Sequence, residues 1–129
     1  KNLLHAGFFY FYAMIKIYHN NRCRKSREAL QYLEKNGIEI QIIEYLKNPL
    51  SAAEWKNLFS QIDKPPQDMI RTQEALWKSD YKGQEIDDTK LLEILTKHPK
   101  LIKRPVVLKG QEGILAQPLE ALKAFLSSH

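Results

Sequence analysis

Cysteine is almost absent from this sequence: Cys23 is the only one among 129 residues. One cysteine cannot form an internal disulfide, which is typical of a protein of the reducing cytoplasm. A thiol redox cycle would then need a second thiol from a partner molecule. No cysteine and histidine pair has metal-ligand spacing, so we expect neither a zinc nor an iron site. Glycine is also scarce, with five residues, and neither a Walker-type loop nor a dinucleotide fingerprint is present.

Long apolar runs and long basic blocks are missing as well. A membrane-spanning helix needs about 20 mostly apolar residues, and the aromatic-rich residues 1–13 are too short to provide one. The net charge of +5 permits nucleic-acid binding, but lysine and arginine are mixed with acidic residues along most of the chain. We therefore expect neither a membrane nor a nucleic acid as a partner.

What the chain does have is the composition of one globular domain, with 43% hydrophobic and 27% charged residues. Met14 follows the aromatic stretch and is expected to be the natural start. We accordingly assign residues 1–13 to an N-terminal extension and residues 14–129 to the domain. An added strand or an aromatic arm is the alternative for the extension.

The first half of the domain alternates between strand and helix patterns. Ile15 and Ile17 begin a buried strand, apolar residues at helical spacing follow over residues 26–36, and a β-branched run covers residues 38–45. These patterns predict a β-α-β unit, with Cys23 at the carboxyl end of its first strand. Open α/β sheets bind their ligands at that edge.

The second half predicts helices, then a hairpin and a last helix. Ser51 and Glu54 form a capping box, and Pro118 suits the first turn of the last helix. Helical segments are expected over 51–62, 67–71, 72–77 and 87–97, and the hairpin over 106–108 and 114–116. The order β-α-β, helical insertion, β-β-α predicts an α/β protein of thioredoxin-like fold with a small mixed sheet.

Cys23 lies where the first helix is predicted to begin, among Arg22, Arg24, Lys25 and Arg27. Helix-end amides and nearby cations both favour the thiolate over the thiol, and the thiolate is the nucleophile. The same features attract an oxyanion. Since the flanking residues are polar and basic, the sequence favours a nucleophile in an anion-binding site over a cysteine buried in the core.

Four segments, in this order, resemble those of a known family. They are residues 18–27 (YHNNRCRKSR), 44–49 (EYLKNP), 70–72 (IRT) and 98–107 (HPKLIKRPVV). Together they resemble the glutaredoxin-dependent arsenate reductases and their Spx-type relatives, which share a thioredoxin-like fold. The likeness runs from Met14 to the last helix. It implies a thiol-dependent oxidoreductase that reduces arsenate to arsenite.

In that family, the cysteine that matches Cys23 attacks arsenate, glutathione displaces the arsenic oxyanion adduct, and glutaredoxin clears the resulting mixed disulfide. The resemblance therefore implies glutathione as co-substrate and glutaredoxin as partner, with no bound cofactor. We expect a monomer in the cytoplasm.

The resemblance also assigns the site. Arg71 and Arg104 would clamp the substrate oxyanion, because an arginine fork meets two oxygens and keeps its charge. Gln117 would join them in binding the substrate. The supporting residues would be His19, Asn20, Ser26, Arg27 and Pro105. Of these, His19 and Ser26 would influence the thiolate, and Arg104-Pro105 would be the cis-proline step of the fold.

Two positions depart from the family pattern. Asn21 stands where the family often has proline, and Gln117 stands where the family has a third arginine. A neutral amide can donate to an oxyanion but brings no charge, which leaves a substrate other than arsenate open.

Other functions and roles stay open as well. An Spx-type regulatory protein would contact RNA polymerase or another protein and use Cys23 as a sensor, although such regulators commonly carry a second cysteine where Ser26 stands. A reductase of another substrate, such as glutathionylated proteins, is a further alternative. From the residues alone, His19 could equally complete a strand, and Ser26 could be a first-turn helix residue.

Overall fold

The computed structural model describes residues 14–128 as a mixed sheet of four strands with helices on both faces. The strands are β1 (Ile15–Tyr18), β2 (Ile40–Ile43), β3 (Val106–Lys109) and β4 (Glu112–Leu115). The helices are α1 (Arg24–Lys35), α2 (Ala52–Gln61), α3 (Ala75–Asp80), α4 (Asp88–Lys97) and α5 (Leu119–Ser128). Within this described part, no helix is long and apolar enough to cross a membrane. The expected extension, residues 1–13, lies outside the described residues.

The sheet has the strand order β2-β1-β3-β4. β1 and β2 are parallel, with Ile15 opposite Ile40, so the connection through α1 forms the expected β-α-β unit. β3 lies antiparallel to β1, with Val106 opposite Tyr18, and β4 lies antiparallel to β3. With the helical segment between β2 and β3, this is the thioredoxin-like α/β fold and the small mixed sheet that the sequence predicts.

Alternation along the strands sends side chains into two hydrophobic clusters, one on each face of the sheet. On one face, Ile17 and Val107 pack with residues of α1 and α5, among them Leu33 and Phe125. On the other face, Val106 packs with residues of α2 and α4. Because both faces of the two central strands are covered, the loops at the strand ends start from fixed positions.

The helix α1 has a defined start and end. Its N-cap residue is Cys23. Gly37 follows its last turn with a φ of +67°, a left-handed conformation that glycine adopts without steric cost. The Ile38 amide donates to the Leu33 carbonyl (3.2 Å) across this turn, as in a Schellman motif. The predicted position of Cys23 at the start of this helix is confirmed.

The strand β2 is shorter than predicted. It ends at Ile43 rather than at residue 45, because the chain turns there. The Lys47 amide donates to the Glu44 carbonyl (3.0 Å) within this turn. The turn carries Tyr45 into the core, where it is fully buried.

The helical insertion is less regular than predicted. After α2, the helix predicted over residues 67–71 is the 3₁₀ helix Pro66–Met69, and the helix predicted from residue 72 starts only at Ala75. Between the two, Ile70 pairs with Ile102 in an antiparallel bridge. Tertiary pairing overrides local helix propensity at this point.

The capping box of α2 provides a test of the fold. Ser51 Oγ accepts from the Glu54 amide (3.1 Å), and the Glu54 carboxylate accepts from the Ser51 amide (2.8 Å). We expect Ser51→Ala to lower the free energy of unfolding by about 1 kcal/mol, measured by urea denaturation. Ser60→Ala, which removes a hydroxyl that donates to the Asn57 carbonyl in the same helix, should cost less. Equal losses in both variants would contradict the importance of the cap.

Candidate active site

Cys23 lies after the carboxyl end of β1, in the turn that leads into α1. Its amide donates to the Asn20 carbonyl (3.0 Å), and the Arg22 amide donates to Asn20 Oδ1 (3.0 Å). Asn20 is 8% exposed, so a buried side chain shapes the turn. The Cys23 side chain itself is partly exposed, which leaves the sulfur open to a substrate.

The pKa of the Cys23 thiol lies below its ordinary value. Burial is the largest single influence and raises this pKa, but the Ser26 amide, the Arg104 guanidinium and the Lys25 amide together outweigh it. The two amides belong to the first turn of α1, where N–H groups have no partner within the helix. The Arg104 guanidinium lies beside the sulfur, where its N–H groups and its positive charge both favour the thiolate. These interactions favour the thiolate form of Cys23, which is the more reactive form of a cysteine.

The cations next to Cys23 in the sequence act differently from our expectation. Arg24 forms a surface ion pair with Glu28 (3.3 Å), and Arg27 donates to the Asn21 carbonyl (3.0 Å). Arg27 thus supports the site by holding the turn. The cation that acts on the sulfur is Arg104, which comes from a distant part of the chain.

His19 and Ser26 form a buried pair behind the nucleophile. His19 Nδ1 and Ser26 Oγ lie 2.7 Å apart, and Ser26 Oγ accepts from the Asn20 amide (3.0 Å). The Ser26 hydroxyl is therefore engaged with the strand end, and Ser26 acts on Cys23 through its backbone amide. An influence of His19 on the thiolate would have to pass through Ser26.

Arg104 is brought to the nucleophile by the register of the sheet. β3 begins at Val106, which lies opposite Tyr18, the last residue of β1. The chain entering β3 therefore meets the loop that leaves β1. The Arg104-Pro105 peptide bond is cis, as expected, and Pro105 is buried.

Arg71 reaches the same region through backbone pairing. Its amide donates to the Leu101 carbonyl (2.7 Å), so it lies beside the segment that leads to Arg104. Its guanidinium donates to Glu74 through Nε (3.2 Å) and Nη2 (2.8 Å). These bonds, more than the charges around them, hold the pKa of the Glu74 carboxyl below its usual range. A bound oxyanion would share Arg71 with this ionised carboxylate.

Gln117 bridges the two sides of the site. Its Nε2 donates to the Arg104 carbonyl (2.7 Å), and its Oε1 accepts from Lys25 Nζ (3.1 Å). The amide thereby holds the Lys25 ammonium beside the segment that carries Arg104. The Gln117-Pro118 peptide bond is cis, which the sequence analysis did not predict.

Sequence reasoning missed Glu74 and Tyr45. Glu74 follows Arg71 by three residues, a spacing that favours ion pairs and could have indicated this one. Burial raises the pKa of Tyr45 to about 12, and its phenol also feels the charges of Arg104, Cys23 and Arg71. Tyr45 therefore lies among the site residues, but no local pattern marks it, because its position depends on the turn after β2.

The fold and the site together define a class of protein. A cysteine at the amino end of the first helix, a cis-proline step and a guanidinium beside the sulfur characterise a thioredoxin-like protein with a thiol site. Within residues 14–128, no three histidine, cysteine or acidic side chains are grouped to hold a metal ion. Residues 18–125 match the ArsC family, and the chain belongs to that family.

Individual relatives cover almost the same range. The arsenate reductase of Neisseria meningitidis serogroup A is 36% identical over 114 residues, which are 87% of this chain and 97% of that protein. The arsenate reductase of Haemophilus influenzae is 34% identical over 113 residues, 85% and 97% of the two chains. The solved structure of the arsenate reductase from Vibrio cholerae has a TM-score of 0.81 at 36% identity, over 86% of this chain and 96% of that one.

The thiol titration tests the role of Arg104. Because its cationic side chain favours the thiolate, Arg104→Gln should raise the pKa of Cys23, so alkylation by iodoacetamide should need a higher pH. Arg24→Gln is the matched control, since its partner is a surface carboxylate. An unshifted midpoint in Arg104→Gln, or an equal shift in both variants, would rule out Arg104 as the activating cation.

Proposed function

We propose that this protein is a thiol-dependent arsenate reductase that draws its electrons from glutathione and glutaredoxin. The main support is the Arg104 guanidinium beside the Cys23 sulfur. It favours the thiolate and offers the oxyanion a cation next to the attacking atom. Relatives named arsenate reductase support the same substrate. We place the protein in the cytoplasm, where these reductants occur, as a monomer without a bound cofactor.

In the first step, the Cys23 thiolate attacks the arsenic atom of arsenate. A sulfur–arsenic bond forms, and one arsenate oxygen takes up protons and leaves as water. Arg104 and Arg71 hold the remaining oxygens, because guanidinium groups keep their charge and donate along two parallel directions. Glu74 fixes the orientation of Arg71 before the substrate arrives.

In the second step, the glutathione thiolate attacks the Cys23 sulfur. A disulfide bond forms, the sulfur–arsenic bond breaks, and its electron pair passes to arsenic, which leaves as arsenite. A glutaredoxin thiolate then attacks the glutathione sulfur of the mixed disulfide and releases the Cys23 thiolate. Both electrons come from thiols outside this chain, as a single cysteine requires.

The supporting residues keep the nucleophile and the clamp in position. Asn20 and Arg27 hold the turn before the nucleophile. Ser26 joins the first helical turn to the end of β1 through His19. Pro105 starts the buried entry into β3. Their substitution should therefore affect the orientation of the reacting groups more than the chemistry itself.

A regulatory thiol switch of the Spx type has less support. The position where such a switch carries its second cysteine is Ser26. Its hydroxyl is buried and engaged with His19 and the Asn20 amide. This position is therefore filled by a structural contact, which favours an enzyme that uses Cys23 alone.

The direct test of the proposed activity is arsenate-dependent NADPH oxidation, coupled through glutathione reductase, glutathione and glutaredoxin. We expect turnover by the wild-type protein and none by Cys23→Ser, because a serine hydroxyl is a far weaker nucleophile at neutral pH. If the wild type shows no arsenate-dependent rate above that of Cys23→Ser with active donors present, arsenate is not the substrate.

We further propose that Gln117 contributes to substrate binding through Lys25. A neutral amide brings no charge, but this one accepts a hydrogen bond from the Lys25 ammonium and donates to the Arg104 carbonyl. The third cation of the site would then be supplied by Lys25 and positioned by Gln117. This arrangement offers a physical reason why glutamine can stand where the family has arginine.

Lys25→Met should lower kcat/KM for arsenate about tenfold, since one charge-assisted hydrogen bond is worth about 1.5 to 3 kcal/mol before screening. The loss should shrink at high salt. Adding Gln117→Arg to Lys25→Met should restore part of the rate, because the new guanidinium replaces the lost cation. Lys47→Met, which removes the partner of Glu44, is the control. An unchanged kcat/KM in Lys25→Met would exclude this role.

A further inference from the structure

Three polar atoms in the described part of the chain are buried and make no hydrogen bond: Tyr45 Oη, Trp55 Nε1 and Arg104 Nε. Buried polar groups are nearly always paired, so each exception calls for an explanation. The three are not scattered. All three residues line one small cavity beneath the site, together with Tyr18 and Lys103.

The cavity is formed by packed aromatic residues and the arginine of the site. The Tyr45 and Trp55 rings meet edge to face, with their centroids 6.2 Å apart and an interplanar angle of 74°. Both side chains are buried, at 0% and 1% exposure. Their rings are therefore held in place, and the polar atoms at their edges have little freedom to find other partners.

The chemistry of the three groups leaves one acceptor among them. The Trp55 indole and the Arg104 Nε–H are donors only, whereas a phenol both donates and accepts. The Tyr45 hydroxyl is therefore the one group of the three that can accept from Arg104. A phenol is protonated at neutral pH, and burial raises the pKa of Tyr45 further, so it is a neutral partner that does not cancel the charge of the guanidinium.

We propose that Tyr45 is a positioning residue of the oxyanion site, whose hydroxyl accepts a hydrogen bond from Arg104 Nε–H when the guanidinium engages an anion. The anion is the Cys23 thiolate or, on the function proposed above, the bound arsenate. The remaining N–H groups of Arg104 then point at the anion in a fixed plane. The hydrogen bond that is unmade in the free protein is formed in the occupied site, so Tyr45 favours anion binding over the empty state.

Tyr45→Phe tests this role, since it removes one oxygen atom and keeps the ring. We expect the midpoint of Cys23 alkylation to move to higher pH and the affinity for arsenate to fall about tenfold. The free energy of unfolding should stay the same or rise, because an unpaired buried hydroxyl is lost. Tyr18→Phe is the matched control from the same cavity and should leave the alkylation midpoint and the affinity unchanged.

A double-variant cycle shows whether Tyr45 acts through Arg104. Lysine lacks the guanidinium fork, so Tyr45→Phe should have no further effect on the alkylation midpoint in an Arg104→Lys background. A midpoint in Tyr45→Phe equal to that of the wild type overturns the proposal, as does a loss of unfolding free energy with no change in the midpoint. The alkylation midpoint is measured without substrate. A shift of this midpoint in Tyr45→Phe would therefore support the positioning role of Tyr45 even if the wild type failed to reduce arsenate.

Discussion

The site depends on one arrangement, in which the Arg104 guanidinium lies beside the Cys23 sulfur. The two residues are far apart in the sequence, because Cys23 follows β1 and Arg104 precedes β3. The antiparallel register that sets Val106 opposite Tyr18 joins them at one end of the sheet. The hydrophobic clusters on the two faces keep that register, since a slip by one residue would exchange the faces of every side chain in β3.

The pKa of the Cys23 thiol is lowered because favourable interactions outweigh the effect of partial burial. Burial by itself raises this pKa. Two helix amides contribute local dipoles, and the nearby Arg104 guanidinium contributes N–H groups and a full charge. The same partial burial strengthens these interactions, because charges are screened less away from water.

Local features of the site could be predicted from the sequence. The N-cap position of Cys23 follows from the strand, the polar turn and the helix that surround it, all within a short stretch. The strand pattern likewise predicts that β3 follows Pro105. The spaced motifs that resemble a known family then imply that Arg71 and Arg104 bind the substrate oxyanion.

Other features depend on tertiary packing, which a single sequence does not show. Lys25 and Gln117 are 92 positions apart, so their hydrogen bond is set by how α1 and the end of β4 meet. From the sequence, the cations next to Cys23 were expected to lower the pKa of its thiol. In the structure, the cation that does so is Arg104. Tyr45 enters the site region because β2 ends early in a turn, and strand propensity alone predicts that β2 continues to residue 45.

The most direct test of the account is the intact mass of the protein after incubation with arsenate and glutathione in the absence of glutaredoxin. A single glutathione adduct is expected to form on Cys23 with arsenate. No adduct is expected when sulfate replaces arsenate, because thiols do not reduce sulfate. Adding glutaredoxin should remove the adduct. A protein that stays unmodified with arsenate, or that is modified equally with sulfate, would contradict a Cys23-centred reduction of arsenate.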